Sequence, residues 1–310
     1  MPNRAVLMLA YGSPDALDDM EAYLNDIRGG RPMSEEFVAE FRGRYAQIGG
    51  RSPLHERTVE QAKATEAVLR ARGHDLSVYV GMRHWRPWIK DVVAQMHADG
   101  VEEAVAIVMA PHYSEMSIGR YWEKVGKARA AAGSSIGFAF VDSWCWQPKL
   151  LKAQEAFVQA GLEKFPDGAR RTVKVVFSAH SLPARLLKMG DPYDDELKGN
   201  AKALAGRLGD VDWTFSYQSA AHTGEPWLGP QIEDVIVDLA GEGYRNVLVA
   251  PIGFVCDHVE ILYDIDIGVQ KIAKEQGVRV ERIESMNSNP LFIEAVADAV
   301  EEKLNEGMGG

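Results

Sequence analysis

The stretch Val173-Lys174-Val175-Val176-Phe177-Ser178-Ala179-His180-Ser181-Leu182-Pro183 decides the fold. Val173 to Phe177 reads as a buried strand, and the small and polar residues behind it read as the turn that leaves a sheet. A second stretch repeats the design. Asn246 to Ala250 is again strand-like, and Gly253-Phe254-Val255-Cys256-Asp257-His258-Val259-Glu260-Ile261-Leu262-Tyr263-Asp264 follows it. Open parallel α/β sheets bind ligands at the carboxyl ends of their strands. An imidazole, His180, and a carboxylate, Glu260, are therefore delivered to one site edge. That pair can take up protons and hold a divalent metal.

Outward from these two stretches, strand-like runs recur at Ala5–Leu9, Leu76–Val80, Ala104–Met109, Ile136–Val141, Trp213–Tyr217 and Val278–Ile283. Helix-length segments with apolar residues at three- and four-residue steps lie between them, as in 59–71, 87–98, 151–165 and 231–242. Alternation of this kind predicts an α/β fold with parallel sheets flanked by helices. A faint internal echo predicts two similar Rossmann-like halves around a cleft. The run ending at Ala10-Tyr11-Gly12 resembles the run ending at Ala179-His180-Ser181, and Met109-Ala110-Pro111 resembles Val249-Ala250-Pro251. The expected boundaries are 1–113 for the first domain and 114–289 for the second. A helix over 290–310 packs back on the first domain and frays from Gly307.

Composition narrows the function classes. The chain has 310 residues, 46% apolar and 25% charged, within the ordinary range for a globular protein of two domains. Its net charge of −11 argues against nucleic acid as a partner. No apolar run reaches the length of a membrane span. With only Cys145 and Cys256, the chain cannot supply the four ligands of an iron–sulfur cluster. Two such thiols read as reduced and partly buried in a cytoplasmic protein.

Three patterns carry further chemistry. In a helix over 257–268, Asp257, Glu260 and Asp264 would fall within about 60° of one another on one face. Three like charges there serve either a cation and protons in transit or a solvated face, and the apolar flanks favour the first. Six arginines (28, 31, 42, 44, 51 and 57) and no lysine lie between 28 and 57. They form either a solvated helix face or a set of forks for carboxylates. Tyr11 at the end of the first strand either anchors a turn or meets a planar metal complex axially. Gly49-Gly50-Arg51-Ser52-Pro53 offers an anion-binding turn. Of the other histidines, His258 and His112 fall in site-edge loops and His222 in the 218–230 segment, while His55, His74, His84 and His97 read as peripheral.

These residues, taken together, resemble the class I ferrochelatases that lack a cluster, closest to the coproporphyrin ferrochelatases of Gram-positive-type bacteria. The resemblance runs nearly end to end. It rests on Ala10 to Pro14, Tyr45 to Leu54, Tyr79 to His84, Ala110 to Ser114, Ser178 to Pro183, Gln218-Ser219, Pro226 to Pro230 and Pro251 to Asp264. It implies a chelatase-type fold of two domains with a porphyrin cleft, Fe(II) as substrate and no permanently bound cofactor. It implies that His180 and Glu260 handle metal and protons, with Asp264 as a relay behind them. Tyr11, Arg28, Arg44, Tyr45, Ser52 and Tyr121 would line the porphyrin site. The implied reaction inserts Fe(II) into coproporphyrin III in haem synthesis. Its alternatives are protoporphyrin IX as substrate, or a tetrapyrrole carrier without chemistry. A monomer that meets donor and acceptor enzymes transiently is the implied partnership. A carboxylate that relatives can carry one helical repeat beyond Asp264 is replaced here by Gly268.

Overall fold

The structure is a computed structural model describing residues 2–209, 211–221 and 223–307. His222 and the tail beyond Gly307 lie outside the described residues. All eight expected strands form, as β1 (Arg4–Ala10), β2 (Ser77–Met82), β3 (Glu103–Val108), β4 (Gly137–Val141), β5 (Lys174–His180), β6 (Asp212–Gln218), β7 (Asn246–Ala250) and β8 (Arg279–Arg282). They make two parallel sheets of four, ordered β2-β1-β3-β4 and β6-β5-β7-β8. The second sheet therefore repeats the strand order of the first. β1 and β5 are central and apolar on both faces, as strands covered by helices on either side must be.

The order reverses between β1 and β3, and again between β5 and β7. Such reversal points open a crevice at the strand ends because the flanking connections leave to opposite faces. Tyr11 follows the end of β1, His180 is the last residue of β5, and the loop after β7 leads to Glu260.

The helices are α1 (Met20–Ile27), α2 (Glu35–Gln47), α3 (Leu54–Ala71), α4 (Ile89–Ala98), α5 (Ile118–Ala131), α6 (Pro148–Leu162), α7 (Tyr193–Leu208), α8 (Ile232–Gly241), α9 (Gln270–Gln276) and α10 (Pro290–Glu306). The expected boundary at residue 113 needs correction. α5 and β4 lie beyond it, yet β4 pairs with β3 from Glu103↔Gly137 to Ile107↔Val141 and completes the first sheet. The sheets divide the chain between residues 141 and 174. Two helices tie the halves. α10 seats Phe292, Ile293, Val296 and Val300 in the core that holds Val6, Met8 and Ile107 of the first sheet. α6 contributes Leu150 and Ala153 to that core and Val158 to the core of the second sheet. Gly161 of α6 lies so close to the second sheet that a Cβ would come within 2.9 Å of Ile283 and Leu248. Glycine is what permits that approach.

Two departures shape the site. Glu260–Val269 winds as a π-helix, wider than an α-helix because its hydrogen bonds span five residues. Asp257 precedes it and does not share the face of Glu260 and Asp264. Instead it pairs with Asn287 and faces Arg282. The second departure is a layer built by α1 and α2, in which Met20, Tyr23, Leu24, Val38 and Tyr45 pack with Trp85 and against Val259. Among the described residues, no helix is long and apolar enough to cross a membrane.

Candidate active site

His180 ends β5 beside Gln218 of β6, and that neighbour fixes the corner. The Gln218 side chain accepts from Ser178 Oγ at 2.9 Å and donates to the Glu260 carbonyl at 3.1 Å. One amide thereby joins the His180 strand to the start of the wide helix. The His180 carbonyl accepts from the Tyr193 hydroxyl at 2.9 Å. His180 Nδ1 donates to the Ser181 carbonyl, which turns Nε2 outward, 3.6 Å from Glu260 Oε1. His258 is built alike. Its Nδ1 donates to the Cys256 carbonyl at 3.0 Å, and its Nε2 lies 3.7 Å from Glu260 Oε2.

Glu260 thus stands between two imidazoles, one on each oxygen. Burial raises its pKa, but the attraction of His180 and His258 outweighs this and leaves it below the usual carboxylate range. Burial opposes charge on His258 as well, but the Glu260 carboxylate reverses that and raises it. An imidazole nitrogen facing a carboxylate is favourable only when a proton or cation lies between them. A proton shared between Glu260 and either imidazole meets that condition.

Asp264 follows on the wide helix, 12% exposed, accepting from Ser219 Oγ and 4.0 Å from Arg44 Nη1. Burial pushes its carboxyl up to about 6; Ser219 and Arg44 oppose this, and Glu260 adds to it. The Arg44 guanidinium also pairs with Glu40 at 2.6 Å and lies over the rings of Phe41 and Tyr263.

The opposite wall is aromatic. Tyr11 keeps 38% of its surface exposed. Withdrawal from water pushes its phenol up to about 12 against the pull of Arg83. Tyr45 is buried, shares a hydrogen bond of 3.1 Å with Ser13, and is likewise pushed up to about 12 by burial. Buried Tyr121 is raised by burial and lies 5.1 Å beneath the Arg83 guanidinium. Glu260 is near enough to bear on all three phenols.

The structure brings His180, Glu260, Asp264, Arg44, Tyr11, Tyr45 and Tyr121 into this one electrostatic neighbourhood. Arg28 and Ser52 have local partners: Arg28 is exposed at the end of α1 and reaches Met33 Sδ at 3.1 Å, and buried Ser52 accepts from the Leu54 amide at 3.4 Å. The arginine cluster is largely spoken for. Arg44, Arg51 and Arg57 pair with Glu40, Glu56 and Glu60, and Arg42 donates to the Leu17 carbonyl. His84, read as peripheral, belongs to the site. It is buried, bonded to Asp26 at 2.7 Å and set 4.6 Å from the Tyr11 ring. Burial and neighbouring Arg83 drive its pKa down to about 4, so it stays neutral. Its signal was present: Met82-Arg83-His84 leaves a strand as Ala179-His180 does.

Among the described residues, no group of three or more His, Cys, Asp or Glu side chains converges to hold a metal ion. Both cysteines are free and buried.

The same two-lobed fold occurs in the sirohydrochlorin chelatase SirB from Bacillus subtilis subspecies spizizenii in complex with cobalt. The TM-score is 0.57 at 12% identity, covering 99% of this chain and 97% of that one. Two lobes of this kind define a chelatase architecture. The profile of the ferrochelatase family matches residues 3–304. The chain is 45% identical over 303 residues to the ferrochelatase of Deinococcus radiodurans, covering 97% of this chain and 96% of its relative. It is 41% identical over 302 residues to the coproporphyrin III ferrochelatase of Geobacillus thermodenitrificans, covering 96% and 95%. The chain belongs to the ferrochelatase family, lyases that insert a metal ion into a tetrapyrrole.

Proposed function

We propose that the chain inserts Fe(II) into coproporphyrin III, releasing two protons, as a step of haem synthesis. The observation that carries the chemistry is Glu260 held between the Nε2 atoms of His180 and His258 at 3.6 and 3.7 Å. Free porphyrin is flat, and its pyrrole N–H groups stand in the way of the metal. A cleft that bends the ring turns nitrogen lone pairs to one face, which is catalysis by distortion. His180, with Nδ1–H committed to a carbonyl, offers Nε2 as the base for those protons. Glu260 steadies the imidazolium that results. Asp264, up to about 6, is a better proton acceptor than Glu260 and so carries protons outward. Tyr11 approaches the metal from the opposite wall. Arg28, Arg44, Tyr45, Ser52 and Tyr121 hold the macrocycle and its propionates.

Two features support coproporphyrin. Relatives at 37–41% identity bear the name coproporphyrin III ferrochelatase. The first lobe also brings the Arg44 guanidinium to 4.0 Å from Asp264, a cation for a propionate in an acidic chain. Anaerobic assay of purified protein with Fe(II) and each porphyrin is the test. Efficient metalloporphyrin formation from coproporphyrin III, about tenfold or more above protoporphyrin IX, is expected. Equal efficiency on both removes the substrate assignment. Tight porphyrin binding without insertion removes the catalytic reading.

A further inference from the structure

Arg282, at the end of the last strand, and Asn287, in the loop that follows, both reach the segment carrying Glu260. Arg282, 15% exposed, grips Asp266 with both arms of its fork: Nε to Oδ1 at 2.7 Å and Nη2 to Oδ2 at 2.9 Å. Its remaining donors meet the Ile283 carbonyl at 2.7 Å, Ser285 Oγ at 3.4 Å and, at ion-pair distance, Asp257 Oδ1 at 3.7 Å. Five residues on, Asn287 adopts a left-handed backbone with φ 43°. That conformation costs a non-glycine residue free energy, so the surroundings must hold it. They do so on four sides. The Asn287 amide side chain accepts from the Asp257 N–H at 3.0 Å and donates to Asp257 Oδ2 at 2.9 Å. Its N–H donates to the Val255 carbonyl at 3.0 Å, and its own carbonyl accepts from buried Gln61 of α3 at 3.0 Å.

Glu260 lies between these two grips, three residues after Asp257 and six before Asp266. An α-helix turns 100° per residue and a π-helix roughly 80°. With the Asp257 end fixed, relaxation to α-winding would swing Asp266 by about 120° around the axis relative to Glu260, and Asp264 by about 80°. The Arg282 fork could not then reach both oxygens of Asp266. The two grips are compatible with one winding, the wide one.

We infer that Arg282 and Asn287 are positioning residues that clasp the Glu260 segment at both ends and so hold the wide helix in the winding that keeps Glu260 between its imidazoles and Asp264 in line behind it. The inference rests on the proposed function of Glu260. Neither clasp residue touches the reacting atoms.

The test uses the full chain with Arg282→Lys, which keeps the charge and loses the fork, and Asn287→Gly, which keeps the left-handed backbone and loses the amide. Each should lower kcat at least tenfold, leave the porphyrin dissociation constant within twofold, and speed amide hydrogen exchange over 260–269 at least tenfold. Glu260→Gln is the control. Normal turnover in Arg282→Lys and Asn287→Gly while Glu260→Gln is inactive overturns the clasp and leaves the site reading intact. Normal turnover in all three overturns the site reading. Unchanged exchange over 260–269 also overturns the clasp. So does loss of the whole fold in both variants, because the loop would then be holding the lobe and not the helix.

Discussion

The first sheet presents Tyr11 and His84 at its strand ends, with Tyr45 and Tyr121 behind them. The second presents His180, His258, Glu260 and Asp264. The scaffolds share one strand order, but the walls differ in what they ionise near neutral pH. Two phenols are pushed up to about 12 and His84 is driven down to about 4, so the first wall neither gives nor takes protons there. On the second wall, Glu260 is lowered, His258 raised and Asp264 brought to about 6. In the proposed reaction one parallel sheet supplies shape and the other acid–base chemistry. The cause is local: burial and the Arg83 guanidinium on one side, two imidazoles sharing one carboxylate on the other.

The sharpest way to break this contrast is a pair of substitutions, one per wall. His180→Ala should lower the rate of metalloporphyrin formation by about 10²–10⁴-fold, the worth of a positioned general base. Tyr11→Phe should cost less than about tenfold, since a phenol pushed up to about 12 stays protonated near neutral pH and offers no base. Equal losses, measured as initial rates under anaerobic conditions, would erase the division of labour. Glu260→Gln comes next. It should lower turnover by about 10²-fold with folding intact, and the His258 imidazole, no longer facing a carboxylate, should titrate at lower pH by NMR.

A smaller effect separates substrate holding from chemistry. Arg28→Ala or Arg44→Ala should narrow the preference for coproporphyrin over protoporphyrin by about threefold to tenfold. A charge-assisted contact is worth about 1.5–3 kcal/mol when dry and less at an exposed residue such as Arg28. Arg70→Ala, on the far surface and paired with Glu66, should leave the ratio alone. The smallest effect concerns stability. The Asp264 carboxyl is raised from 3.8 to about 6, so the folded state binds its proton more tightly than the unfolded chain. That stabilisation is complete below pH 3.8 and lost as pH rises through about 6. Asp264→Asn mimics the protonated form. In urea unfolding it should stabilise the protein at pH 7.5 by at most about 3 kcal/mol and do nothing at pH 3.5.

Strands were legible because buried parallel strands write themselves as short apolar runs, and the residues that end them were legible with them. The winding of 260–269 was not. A period of three and four residues reads as α, and nothing in Glu260 to Val269 shows that Arg282 and Asn287, far along the chain, hold it wider. The same error put Asp257 on the face of Glu260. His84 was missed because its strand ends two residues earlier in the reading, at Val80, than in the sheet, at Met82. The arginine cluster was visible, but its internal pairing with Glu40, Glu56 and Glu60 depends on helix geometry that charge counting does not contain.

The seating of α10 against the first sheet bears on the order of events during synthesis. Phe292, Ile293, Val296 and Val300 complete a core whose strands begin at Arg4. Those side chains leave the ribosome only after all of the second sheet has been made. The amino-terminal lobe must therefore wait, its sheet half covered, while the lobe made later already has every strand it needs. Chains truncated before Pro290 and released from the ribosome should resist protease across 174–282 and remain cleavable across 4–141, the reverse of the usual order in which folding follows the growing chain.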